Sequence, residues 1–260
     1  MLSKKHKIKY GLKLWSTDRE LFPEAVQSFK KGTIDFIELY IVPNSFMPGK
    51  LDFLNDLKNI PTIIHAPHTK HNFDVFSLND SKIKIFKEQV AKTADFLNSK
   101  FIIVHAGIGD SQAIFKENIE KIKDKRILIE NMTKIGINDQ PCFGHSYEQL
   151  KFIKERGFNF CLDFSHAIKS SISQKIGYKE FVEKLIIELT PNYFHICNGR
   201  FNNDEDEHMD LFDGDFDIKW IKEILLKLAG KKDVYLVFET PKSGNRISND
   251  IKNINYFLSI

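Results

Sequence analysis

The chain has 260 residues, and its 38 Lys and Arg against 35 Asp and Glu give a net charge of +3. Hydrophobic residues at 42% and charged residues at 28% match an ordinary globular protein and exclude disordered, collagen-like and coiled-coil chains. So small a net charge gives no bulk electrostatic argument for nucleic acid, although it leaves room for a local basic patch.

No apolar run reaches the roughly 18 residues of a membrane helix, so no membrane partner is expected. The basic N-terminal segment lacks the apolar core of a secretory signal. Cys142, Cys161 and Cys197 are an odd number without CxxC spacing, which points to a reduced, cytoplasmic protein. The length suits one α/β barrel domain spanning residues 1–260.

In chain order, eight short apolar runs read as strands: Ile8–Trp15, Ile34–Tyr40, Thr62–Pro67, Phe101–Gly107, Arg126–Asn131, Phe158–His166, Tyr193–Asn198 and Val234–Thr240. They are near-continuous rather than alternating, as in strands buried on both faces. Between and after them run helical segments: Pro23–Lys31, Leu51–Asn59, Ser81–Leu97, Ser111–Ile122, Ser146–Arg156, Tyr178–Leu189, Ile218–Leu228 and Asn249–Leu258. In the third, Ile83, Phe86, Val90, Ala94 and Leu97 share one face. Gly32, Gly157 and Gly230 stand where left-handed helix caps are wanted. Strands alternating with helices imply parallel strands and right-handed crossovers. A closed (β/α)8 TIM barrel is the economical fold; the Ser16-Thr17-Asp18 turn lacks the glycine pattern of a doubly wound sheet.

The strand ends carry the chemistry. His65, His105, Glu130, Asp163 with His166, His195 and Glu239 close strands three to eight, and Asp206 and His208 follow strand seven. A barrel gathers such residues on its C-terminal face, where active sites form. Any one of them alone reads better as a hydrogen-bonded core residue or a helix cap. Together they need cations, because each buried unpaired ion costs several kcal/mol. No Arg or Lys occupies a matching strand end, Lys13 being the nearest, so divalent metal is expected. Imidazole with carboxylate favours zinc, manganese or iron.

Other patterns have plainer readings. Asp204, Asp206, Asp210, Asp213 and Asp215 have the wrong offsets for an EF-hand. Lys4, Lys5, Lys7 and Lys9 read as a solvated tail rather than a phosphate-binding arm. His68 and His71 read as loop histidines that could meet substrate, and His6 and His145 as surface residues. Trp15 is divided between a core role and stacking on a sugar ring.

The motifs HAPH, VHAG, LIEN, CLDFSHA, FHICN, DEH and FET, from His65 to Glu239, resemble the endonuclease IV family of the xylose isomerase-like TIM barrel superfamily. The resemblance implies a metal-dependent hydrolase acting on abasic-site DNA in DNA repair, with up to three divalent ions, zinc first among the candidates. By position, His65 and His105 would hold the first metal and Glu130 would bridge to the second. Asp163, His195 and Glu239 would complete the second, and His166, Asp206 and His208 would hold the third. The substrate-reading segments differ: YGLKLWSTD has no histidine, His68 stands where an aromatic is expected, and Cys197-Asn198-Gly199-Arg200 replaces the usual run. The alternative within the superfamily is a sugar or sugar-phosphate isomerase or epimerase. There Glu130, Asp163, His195 and Glu239 would hold one metal, and Glu130 and Glu239 would move the proton. Trp15, Glu38, His68 and Arg200 are the candidate substrate contacts.

Overall fold

The computed structural model describes residues 7–136, 139–242, 244 and 246–260. Lys4, Lys5 and His6 lie outside the described residues. Eight parallel strands close into one barrel in sequence order: β1 (Ile8–Trp15), β2 (Phe36–Tyr40), β3 (Thr62–His65), β4 (Ile102–His105), β5 (Ile127–Glu130), β6 (Asn159–Asp163), β7 (Tyr193–Ile196) and β8 (Val234–Phe238). β8 pairs back onto β1, which removes both sheet edges.

The helices outside the barrel are α1 (Phe22–Lys30), α2 (Asp80–Ile85), α3 (Lys92–Phe96), α4 (Gln112–Lys121), α5 (Tyr147–Lys154), α6 (Phe164–Gln174), α7 (Tyr178–Leu189), α8 (Ile218–Ala229) and α9 (Ser248–Ser259). A π-helical stretch, Phe86–Ala91, joins α2 to α3, so the helix expected over 81–97 is present but interrupted. The segment expected as a helix over 51–59 forms only a 3-10 turn, Asp52–Leu57. Its buried residues Leu54 and Leu57 lie three apart, which that tighter turn serves.

Two further expectations are corrected. The sixth strand stops at Asp163, and His166 lies in the first turn of α6. Asp163 caps that helix directly, accepting from the His166 N–H at 2.7 Å, so no turn residue marks the change. Gly32 and Gly157 take positive φ as expected, but Gly230 leaves its helix at φ −67°. Lys175 and Thr190 take left-handed caps instead.

Inside the barrel, Phe36, Ile63, Ile103, Leu128, Cys161, Tyr193, Tyr235 and Val237 form an apolar plug. Gly11 completes it, because a Cβ there would run into the Phe36 ring and Val237. Strand side chains alternate between faces, so the residue two positions after each plug residue points into the barrel one layer higher. Seven strands follow that rule: Phe36 leads to Glu38, Ile63 to His65, Ile103 to His105, Leu128 to Glu130, Cys161 to Asp163, Tyr193 to His195 and Val237 to Glu239. The plug therefore floors a layer of titratable side chains at the C-terminal mouth.

Candidate metal centre

Glu130 is the hub. Its side chain is 1% exposed, and neither oxygen has a hydrogen-bond partner among the described residues. Oε2 faces His65 Nε2 and His105 Nε2, each at 3.3 Å. Oε1 faces His195 Nδ1 and His166 Nδ1, each at 3.4 Å. His195 Nδ1 also lies 2.9 Å from Glu239 Oε1 and 4.0 Å from Asp163 Oδ2. On the far side, Asp206 Oδ2 lies 3.3 Å from His166 Nε2 and 2.7 Å from His208 Nε2. All nine residues expected at the site meet at one mouth of the barrel.

Backbone carbonyls set the histidine tautomers. A carbonyl can only accept, so Nδ1 must carry the proton in His65 (to Ala66 O, 2.7 Å), His166 (to Asn131 O, 2.8 Å) and His208 (to Glu239 O, 3.0 Å). Each Nε2 is thereby turned toward a carboxylate. His195 is reversed: Nε2 lies 2.7 Å from Glu38 Oε2, which frees Nδ1 for Glu130 and Glu239. Such outer partners orient metal-binding imidazoles.

The arrangement fits divalent cations. Burial, then the Lys13 charge, lowers the His65 pKa, so its Nε2 presents a lone pair toward Glu130. Among the described residues, His65 Nε2, both Glu130 oxygens and Asp163 Oδ2 are buried without a hydrogen-bond partner. The lone pairs of His65 Nε2 and Glu130 Oε2 repel unless a cation lies between them. Tetrahedral coordination with bonds of about 2.0 Å sets neighbouring ligand atoms about 3.3 Å apart. The His65, His105 and His166 contacts to carboxylate are each 3.3 Å.

Lys13 corrects the expectation that the layer holds no protein cation. It stands in register with Glu38, its Nζ lies 3.2 Å from Glu38 Oε1, and it also pairs with Glu239. Burial opposes ionisation of Glu38, but the charges of His195 and Lys13 outweigh it and lower its pKa to about 2. Burial raises the Asp163 pKa to about 6 despite the nearby His166.

A family model described as xylose isomerase-like TIM barrel matches residues 51–257. The chain belongs to that family. Solved structures of the same fold include endonuclease IV from Thermus thermophilus, with a TM-score of 0.69, 17% identity and coverage of 96% of this chain and 99% of that one. A D-tagatose 3-epimerase-like protein gives 0.67 and 19%, covering 96% and 97%. The 3-keto-D-glucoside 4-epimerase from E. coli gives 0.66 and 12%, covering 98% and 100%. No curated protein sequence matches the chain.

In this xylose isomerase-like barrel the candidate substrate contacts divide. Trp15 is half-buried at the mouth, 5.4 Å from the Tyr40 ring and 5.7 Å from His71. His68 stacks on His105 at 4.7 Å, and burial followed by the His105 charge holds its pKa well below the usual value. Glu38 lies beneath the cage, fully buried, and orients His195. Arg200 is exposed, and its backbone serves Lys169 and Glu207. His145, expected at the surface, is half-buried away from the cage, because its Nδ1 bonds Cys142 O at 2.6 Å. Lys7 and Lys9 pair with Asp35 and Asp233 at the start of β1, the end away from the site.

Two supporting residues escape sequence reading. Asn131 bonds both the N–H and the carbonyl of Asp163, at 2.7 and 3.0 Å, and so locks β5 to β6. Lys169, fully buried on α6, donates to Arg200 O (2.8 Å), Asn203 O (2.6 Å) and Glu207 Oε2 (2.8 Å). It anchors the loop that carries Asp206 and His208. His208 itself has φ +48°, a conformation uncommon outside glycine and suited to a site that fixes a side chain.

Proposed function

We propose that the protein is a divalent-metal-dependent phosphoester hydrolase of the endonuclease IV kind, with abasic-site DNA the substrate class to test first. One observation carries this reading: Glu130 directs one oxygen to His65 and His105 and the other to His195 and His166. A carboxylate shared in this way is suited to a pair of cations, which one-metal chemistry does not need.

His65, His105 and Glu130 would hold the first cation, with Glu130, Asp163, His195 and Glu239 holding the second. His166, Asp206 and His208 form the third group. Imidazole and carboxylate donors favour zinc, with manganese or iron as substitutes. Bound cations would supply an acidified water and positive charge for the transferring phosphoryl group. The chain's own part is to hold that geometry. Glu38 fixes the His195 ring, Lys13 secures Glu239, and the apolar plug closes the floor against water.

A second reading, a sugar or sugar-phosphate isomerase or epimerase, is favoured by the wall of Trp15, Tyr40 and His71, with Lys70 Nζ 5.1 Å from the Trp15 ring. Such a wall suits a sugar ring. Glu130 and Glu239 would then pass the proton.

Metal analysis and a substrate panel separate the two. The hydrolase reading expects two or three metals per chain and cleavage of abasic-site DNA or another phosphodiester. One metal per chain with aldose–ketose exchange or epimerisation would replace it with the second reading.

A further inference from the structure

Cys197 follows the end of β7, two residues beyond His195, and is fully buried. Its Sγ lies 3.8 Å from Asp206 Oδ1, and ligand atoms of Cys197, Asp206 and His208 all lie within 4.8 Å of one another. The backbone bonds between Asn198 and Met209, at 3.0 and 3.1 Å, pin the two segments that carry these side chains. Ser165 Oγ donates to Asp206 Oδ1 at 2.6 Å, leaving Oδ2 to face His166 and His208.

We propose that Cys197 is a protein ligand of the third site, adding a thiolate to the carboxylate of Asp206 and the imidazole of His208. The proposal rests on the three-group reading above and extends it. Coordination replaces the S–H bond with a sulfur–metal bond and releases one proton to solvent.

One consequence follows: a thiolate selects zinc over magnesium, calcium and manganese at this position.

The test is titration of the chelator-treated full chain with Co2+, reading cobalt stoichiometry and the near-ultraviolet thiolate-to-cobalt charge-transfer band. The expected result is a band in the wild type and in Cys161→Ser, and its loss in Cys197→Ser with cobalt affinity at one site weakened at least about 10-fold. The Cys161 control is needed because that thiol clusters with Glu130 and His195. Three bound cobalt ions without a band, or a band that persists in Cys197→Ser, overturn the Cys197 assignment and leave the three-group reading standing. A Cys197-dependent band with one cobalt per chain does the reverse. Binding of no cobalt overturns both.

Discussion

His195 Nε2 and Glu38 Oε2 lie 2.7 Å apart, and both side chains are fully buried. The Tyr193 hydroxyl donates to the same oxygen at 2.7 Å. Glu38 thus fixes the imidazole from below while the opposite nitrogen faces Glu130 and Glu239. Glu38→Gln keeps an acceptor for His195 but removes the negative charge that strengthens it as a ligand. Losing such an outer partner typically costs 10–100-fold in metal affinity. We expect a loss of about 10-fold, measured by competition with a chromogenic chelator, with the fold retained by circular dichroism. Unchanged affinity would show that His195 does not need the carboxylate beneath it.

Glu130→Gln is more severe. It removes the charge common to two groups of ligands, whose His65, His105 and His195 contacts to Glu130 are 3.3–3.4 Å. We expect metal content to fall by at least one ion per chain and turnover to fall by about 100-fold or more, because charge on the transferring group is left unbalanced. Elemental analysis after gel filtration reads the first and a phosphodiesterase assay the second. Full metal occupancy would mean that Glu130 does not bridge.

Which parts were legible in the sequence follows from the periodicity of a barrel. His65, His105, Glu130, Asp163, His195 and Glu239 each end or follow an apolar run, so strand spacing alone brings them to one mouth. Lys13 and Glu38 carried a signal too: each stands at an inward position of its strand, and β1–β2 register places them side by side. Helix α6 was hidden because Asp163 ends β6 and caps the helix at once. Lys169 was hidden because its three acceptors belong to a loop more than thirty residues later, and two are backbone carbonyls that carry no residue code.

Lys169→Met would release that loop. Lys169 is fully buried and Glu207 is 20% exposed, so the loss is mainly of charge-assisted hydrogen bonds to two carbonyls and one carboxylate. A destabilisation of about 1.5–3 kcal/mol is expected in urea denaturation. Metal content should drop by one, since Asp206 and His208 are carried on the released segment, and Lys169→Arg should restore part of it. Three metals retained in Lys169→Met would show that the loop holds its place without the clamp.

The pH dependence of metal binding tests the third group from another side. Burial opposes charge on His166, but the charge of Asp163 and the contact with Asp206 outweigh it and raise the pKa to about 10. In protein stripped of metal, this proton contributes stability that is complete below the ordinary histidine value of about 6.5. It is lost as pH rises toward 10, so stripped protein should become less stable across that window. Metal binding has the opposite sign. The cation requires neutral His166 and, with Cys197 as ligand, a thiolate, so affinity at this site should rise with pH by up to about tenfold per unit for each displaced proton, the His166 share levelling off near 10. Cobalt titrations at several pH values between 7 and 9, with proton release followed by a pH indicator, measure the slope. His166→Asn, which cannot take up that proton, should lower the slope by that proton's share; a slope unchanged in that variant would place the displaced protons on other residues.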